Sequence, residues 1–160
     1  MDAGYCDFLR KADARVPFTQ GDKSVCPFVG VLLEINEMKY YAPLSSPKPK
    51  HLKMGNQLDF LKINGGKLGA INFNNMIPVH ATCLTSANLI IGHADGRDER
   101  AYKNLLADQL SWCNRNRNEI SARAMKLYVS SFPAPASSRS ETVAAISRHS
   151  KAGIPNMRGK

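Results

Sequence analysis

The sequence predicts an α+β fold: a small antiparallel β-barrel with packed α-helices, followed by a disordered basic C-terminal tail. Three observations predict it. Between Pro27 and Ala81, short apolar segments recur at regular spacing with turn residues between them, the pattern of a small antiparallel barrel. From Asp98 onward the apolar period lengthens to that of amphipathic helices. From Phe132 onward large apolar side chains thin out, and Pro, Ala, Ser and Arg take over.

Taken in order, Tyr5, Phe8, Leu9 and Ala12 share helical spacing, and the helix ends by Ala14 because Val16, preceding Pro17, is pushed out of the α region. Thr19 to Ser24 is a polar, turn-rich loop. Pro27 to Ile35 is β-branched and continuously apolar, which predicts a buried strand, and Asn36-Glu37 reverses it into a second strand, Met38 to Leu44. Leu58 to Asn64 and Lys67 to Phe73 form the next hairpin, with Gly65-Gly66 as its primed turn. Met76 to Ala81 is a short strand that Pro78 confines to an edge or bulge. Tyr102, Leu105, Leu106, Gln109, Leu110 and Cys113 mark one helix; after a break at Asn114 to Asn118, a second covers Glu119 to Val129. Trp112 reads as core. The expected organisation is one domain over residues 1–130 and a Pro/Ala/Ser-rich basic tail over 131–160, where Val143 to Ile146 is too short to stand as a helix alone.

A chain of 160 residues can bury roughly 70% of its unfolded surface without staples. Cys6, Cys26, Cys83 and Cys113 form no C-x-x-C pair and have no histidine at ligand spacing, which argues against zinc and against a thioredoxin-like motif, and favours reduced thiols in the cytoplasm. The absence of an apolar run of about 18 residues argues against a membrane span, and the acidic start argues against a secretion signal. Net charge is +9. That field favours a polyanionic partner, nucleic acid first, although a merely cationic soluble protein would carry the same charge. Its location is more informative: between Met38 and Lys67, Lys39, Lys48, Lys50, Lys53, Lys62 and Lys67 face Asp59 alone.

The centre of that region is the run from Met38 to His51, in which Ser45, Ser46, Lys48, Lys50 and His51 follow an aromatic strand and Pro43, Pro47 and Pro49 stiffen the backbone. RNA can be cleaved without a metal. The ribose 2′-hydroxyl attacks its own phosphate once a base takes its proton, a cation stabilises the phosphorane and an acid protonates the leaving oxygen. Lys48 suits the cation, Ser45 and Ser46 suit hydrogen bonds to phosphate oxygens, and His51 suits a proton shuttle, while Lys50 and Lys53 look like backbone holders. A solvated hairpin loop explains the same residue types. Acids are too dispersed for two-metal catalysis, so no metal or other cofactor is expected. No G-x-S-x-G is present, and His80 reads as a surface histidine.

The segments Phe28-Val29-Gly30-Val31-Leu32-Leu33-Glu34-Ile35, Lys39-Tyr40-Tyr41-Ala42-Pro43-Leu44-Ser45-Ser46-Pro47-Lys48 and Gly69-Ala70-Ile71-Asn72-Phe73-Asn74-Asn75-Met76-Ile77-Pro78-Val79 resemble, in this order and spacing, the ToxN/AbiQ family of type III toxins. The resemblance covers roughly Phe8 to Val129. It implies a PemK/MazF-like barrel and a metal-independent endoribonuclease that leaves a 2′,3′-cyclic phosphate. It also implies inhibition by a repeated pseudoknot RNA antitoxin in a cyclic protein–RNA assembly, and a role in abortive infection. Carried over by motif, Ser46 is the catalytic hydroxyl, Lys48 its cationic partner and Ser45 the neighbouring hydroxyl; Lys23, Lys39, Lys50, His51 and Lys53 are the RNA contacts. The departures are specific. The family's basic residue before the first long strand is replaced by Cys26-Pro27, with Lys23 as a displaced candidate, and neither the family's first strand nor its closing segment is matched. The expectation is therefore a divergent member, shortened at both ends. Its alternatives are an RNA-binding protein with weakened catalysis, or a structural barrel whose basic face binds an acidic protein.

Overall fold

A computed structural model describes residues 2–14, 16, 27–35 and 38–131. Helix α1 (Ala3–Ala12) starts where Asp2 accepts a hydrogen bond from the Tyr5 amide at 2.8 Å, and Arg10 and Lys11 complement the dipole in its last turn. The face it buries centres on Cys6, whereas Phe8, on the predicted stripe, is 65% exposed. The Tyr5 hydroxyl donates to the Pro78 carbonyl at 2.8 Å, fastening the helix to strand β5 (Ile77–Val79). Cys6, Val16, Ile77 and Val79 form the resulting core cluster, covered by Tyr5, Leu9, Phe28 and Tyr41.

Strands β1 (Phe28–Ile35) and β2 (Met38–Ser45) form the predicted antiparallel hairpin, with Ile35 opposite Met38; its turn lies outside the described residues. The register slips between Val29 and Leu33, so that three residues of β1 face Tyr41 alone. This is a bulge, and it bends the pair. Gly30 sits within it because a Cβ there would lie 1.9 Å from the Tyr41 ring. Strand β2 is the spine of the sheet: Lys39 to Tyr41 pair with β5 and Leu44-Ser45 pair with β4 (Ala70–Asn72), which in turn pairs with β3 (Phe60–Lys62). Pro78 lies in β5, which pairs with β2 as the edge reading requires.

The sheet order is β1-β2-β4-β3 with β5 branching from β2, and among the described residues no ladder joins β1 to β3. The fold is α+β with an antiparallel sheet, and the small barrel expected is not closed by any ladder among the described residues. The β3–β4 hairpin turns where expected: Gly65 (φ 66°) and Gly66 (φ 95°) both take positive φ, bracketed by the Lys67 amide donating to the Asn64 carbonyl at 3.2 Å. Asn64 (φ 48°) extends the left-handed stretch by one residue, a conformation that asparagine adopts more readily than most side chains. Leu61, Ile63, Ala70, Ile71 and Phe73, all at most 2% exposed, fill the core under this hairpin.

Helix α3 (Arg97–Arg115) opens with Asp98 and Glu99 in its first turn, and Asn116 separates it from α4 (Arg117–Ser131). Its stripe is less apolar than its period suggested. Gln109 is 1% exposed and donates through Nε2 to the Leu68 carbonyl at 2.7 Å, and Lys103 is buried in ion pairs with Asp95 (2.8 Å) and Glu99 (3.1 Å). Trp112 is half-buried and Leu110 is 45% exposed. Ile120 and Ala124 are the buried residues of α4. Residues Met1–Leu127 constitute one compact unit and Tyr128–Lys160 another, of which Tyr128–Ser131 are described as the end of α4. The tail expected from residue 132 onward lies outside the described residues.

Candidate functional site

The site grows from the end of β2. Ser45 is still in the ladder, opposite Ala70, and its hydroxyl donates to the Ala70 carbonyl at 3.1 Å. Ser46, Pro47 and Lys48 then leave the sheet in extended form and are exposed. Lys48 precedes a one-turn helix, α2 (Pro49–Lys53), which Pro49 suits because it lacks an N–H at a position where an N–H would find no partner in the helix. The Lys48 carbonyl accepts the His51 amide at 2.9 Å, closing that turn. Ser46 and Lys48 make no side-chain hydrogen bond or ion pair to another described residue. Lys50 and Lys53 are exposed on the same turn.

The loop is held from below by the β3–β4 hairpin. Gly69, at φ 97°, packs so closely that a Cβ would lie 1.9 Å from the Ser45 carbonyl oxygen and 3.1 Å from the Ser46 carbonyl carbon. Gly66, at φ 95°, does the same under His51, where a Cβ would meet the His51 carbonyl oxygen at 2.7 Å. Both glycines combine a positive φ with a close approach, and the combination leaves no room for a side chain. The Gln109 bond to Leu68 braces this turn from α3. Hence the loop stands on two glycines, which stand on a helix.

His51 departs most from expectation. Its side chain is not among the surface cations: the residue is 2% exposed, its ring packs edge-on against Phe60 with centroids 5.7 Å apart, and its Nδ1 has no partner. Burial first, and then Lys50 and Lys48, hold its pKa below the usual 6.5, so the ring is neutral at physiological pH. The loop's exposed cations are therefore Lys48, Lys50 and Lys53, with this imidazole turned toward the core. Sequence gave no signal for this, because a histidine in a run of lysines has the look of a solvated face.

The other candidates divide. Lys39 is exposed on β2 near Val79 and His80, and seven residues of extended chain place it roughly 20 Å from Ser46. Lys23 and Cys26 lie outside the described residues. His80 is exposed and caps the turn Ala81–Cys83 by accepting the Thr82 amide, a structural task. One feature escaped the sequence reading altogether: a groove of about 430 Å³ lined by Asn56, Gln57 and Leu58 and by Glu119, Ala122, Arg123 and Lys126 of α4. Arg123 crosses it, donating to the Gln57 carbonyl at 2.8 Å and pairing with Glu119. No local motif marks it, since its two walls lie some sixty residues apart. Among the described residues no cluster of His, Cys, Asp or Glu could hold a metal ion, and no helix is long and apolar enough to cross a membrane.

Comparison with known proteins bears on the chain as a whole. The profile of the family described as toxin ToxN, type III toxin–antitoxin system, matches residues 1–145, which carries the likeness beyond the expected end near Val129. Endoribonuclease ToxN of Bacillus thuringiensis subsp. kurstaki is 30% identical over 125 residues, covering 78% of this chain and 62% of that protein. Endoribonuclease ToxN of Pectobacterium atrosepticum is 30% identical over 132 residues, covering 78% and 74%. The chain thus spans about three-fifths to three-quarters of these relatives' length. A solved structure from work on a bacterial antiviral system regulated by a processed non-coding RNA superposes with a TM-score of 0.67 at 29% identity, over 80% of this chain and 81% of that one. Another, from work on selective toxin inhibition by a non-coding RNA pseudoknot, gives 0.65 at 29% identity, over 80% and 74%. The lactococcal anti-phage endoribonuclease AbiQ, at 23% identity and a TM-score of 0.63 over 79% and 76%, shares the fold.

Proposed function

The chain belongs to the ToxN family of type III toxin–antitoxin toxins, and from that premise we propose that it is a metal-independent endoribonuclease whose reacting phosphate lies over Ser46 and Lys48. On this reading the 2′-oxygen attacks phosphorus, the bond to the 5′-oxygen breaks, and a 2′,3′-cyclic phosphate and a 5′-hydroxyl result. The Lys48 ammonium meets the charge that develops on the phosphorane, and the Ser46 hydroxyl donates to a non-bridging oxygen. Lys50 and Lys53 hold the flanking strand, and the bent sheet is the counterpart of the family's barrel. The antitoxin would be a repeated pseudoknot RNA occupying the same cationic loop within a cyclic assembly.

The observation that carries this reading is that Ser46 and Lys48 are exposed and uncommitted on a backbone clamped by Gly66 and Gly69. Positioned, unspent polar groups are what electrostatic catalysis requires. The test is incubation with A-rich single-stranded RNA in excess EDTA. Cleavage to cyclic-phosphate ends is expected; intact RNA, or cleavage that needs Mg²⁺, would remove the proposal. RNA binding without cleavage is the second reading, favoured by the Ser45 hydroxyl spent on Ala70 and the imidazole of His51 spent on the core. Tight binding of a pseudoknot repeat, with no growth arrest on expression, would select it.

A further inference from the structure

We infer that His51 is a positioning residue: a neutral, buried imidazole that pins α2 to the sheet and so sets the place of Ser46 and Lys48. The inference rests on the proposed cleavage for its kinetic readout, but not for its structural one. Three contacts fix the residue. Its amide closes the turn onto the Lys48 carbonyl at 2.9 Å, its backbone lies against Gly66, and its ring meets Phe60 of β3. Other side chains of α2 do no such work: Lys50, Leu52 and Lys53 are all exposed, Leu52 at 57%. His51 is the one residue through which this turn enters the core.

The choice of imidazole makes the pin conditional. A leucine could fill an apolar site beside Phe60 with no polar atom to satisfy, whereas His51 leaves Nδ1 without a partner. The charges acting on the ring are Lys50 and Lys48; Phe60 and Gly66, which pack on it from the sheet and its turn, add none. Protonation would place a third positive charge beside two lysines with no counter-ion and little water, a state relieved by moving the ring outward. The turn would follow the ring, and Lys48 would follow the turn. Cleavage should therefore fall on the acid side through a group that never touches RNA.

Single-turnover RNA cleavage across pH 4.5–8 tests this with wild type, His51→Leu and His51→Ala. Deleting the pin in His51→Ala should lower the cleavage rate at saturating RNA about 10- to 100-fold while changing RNA affinity by less than about threefold. His51→Leu, which keeps a buried pin, should recover most of the neutral-pH rate and lose the acid limb. A His51→Leu enzyme as impaired as His51→Ala at every pH, or one that retains the acid limb, overturns the inference. Proton–nitrogen NMR of the wild-type protein supplies the readout that does not depend on cleavage. The Ser46 and Lys48 amides should shift with the titration of the His51 ring, with a midpoint below 6.5. Amides that ignore that titration refute the positioning role. If RNA stays intact in EDTA while the amides track the ring, the proposed function fails and the positioning role stands.

Discussion

Ser46 and Lys48 are exposed, make no polar contact with another described residue, and leave the core untouched when truncated. Their removal should therefore cost chemistry without costing the fold. We expect Ser46→Ala and Lys48→Ala to lower the cleavage rate about 10²- to 10³-fold, by analogy with the loss of one donor to a developing charge, with stability held within about 0.5 kcal/mol by urea unfolding. His51 gives the opposite signature. Its folded pKa lies below the 6.5 of the free side chain, so above that value both folded and unfolded chains hold it neutral and its contribution is complete. As pH falls below 6.5 the unfolded chain takes up a proton that the folded chain resists, and stability declines until the folded pKa is passed. Urea midpoints measured between pH 7.5 and 5 should fall for wild type and fall less for His51→Leu. The residue types in this run suggested phosphate chemistry. Which of them faced water was not legible, because burial of His51 depends on Phe60, nine residues away, and on Gly66, fifteen away.

At the scale of elements, the β3–β4 hairpin serves as the pedestal of the loop. Gly69 carries two demands at once, a left-handed φ of 97° and a backbone contact on Ser45 that leaves no room for a Cβ. We expect Gly69→Ala to destabilise the protein by about 2–4 kcal/mol, the sum of conformational strain and forced displacement of the strand end. The denaturant midpoint checks the size, and loss of cleavage at temperatures where the variant is still folded checks the link to the site. The corresponding change at Gly55, where a Cβ would meet nothing, should be nearly silent. Both hairpins, helices α1, α3 and α4 and the edge role of Pro78 could be read from period and turn residues, since these are set by local sterics, whereas the short α2 could not. The branching of β5 from β2 and the bulge at Gly30 could not either. They depend on which strand β2 pairs with at each point along its length, and on the Tyr41 ring that covers Gly30.

For the whole molecule, the net charge of +9 supplies attraction to any polyanion, while the loop focuses it. If Lys48, Lys50, Lys53 and one further lysine contact single-stranded phosphates, log K for RNA should fall with log salt at a slope of about −3. Filter binding between 50 and 300 mM salt measures it, and a flat response would show that charge is not what holds the RNA. Replacing Lys48 should reduce that slope by roughly 0.7, whereas replacing Lys39, at the far end of β2, should do so only for an RNA long enough to reach it. The sequence by itself determined the α+β class, the basic stretch from Lys39 to Lys67, the order of strands and helices, and the family motif at Ser45-Ser46-Pro47-Lys48. Those properties follow from residue chemistry and short-range periodicity. Tertiary structure alone decided that Ser45 spends its hydroxyl in the ladder, that Ser46 and Lys48 remain uncommitted, and that His51 turns inward. It also decided that a pair of glycines and Gln109 carry the loop. Each is a contact between segments distant in the chain, and no local rule of composition or spacing contains the partner on the other side.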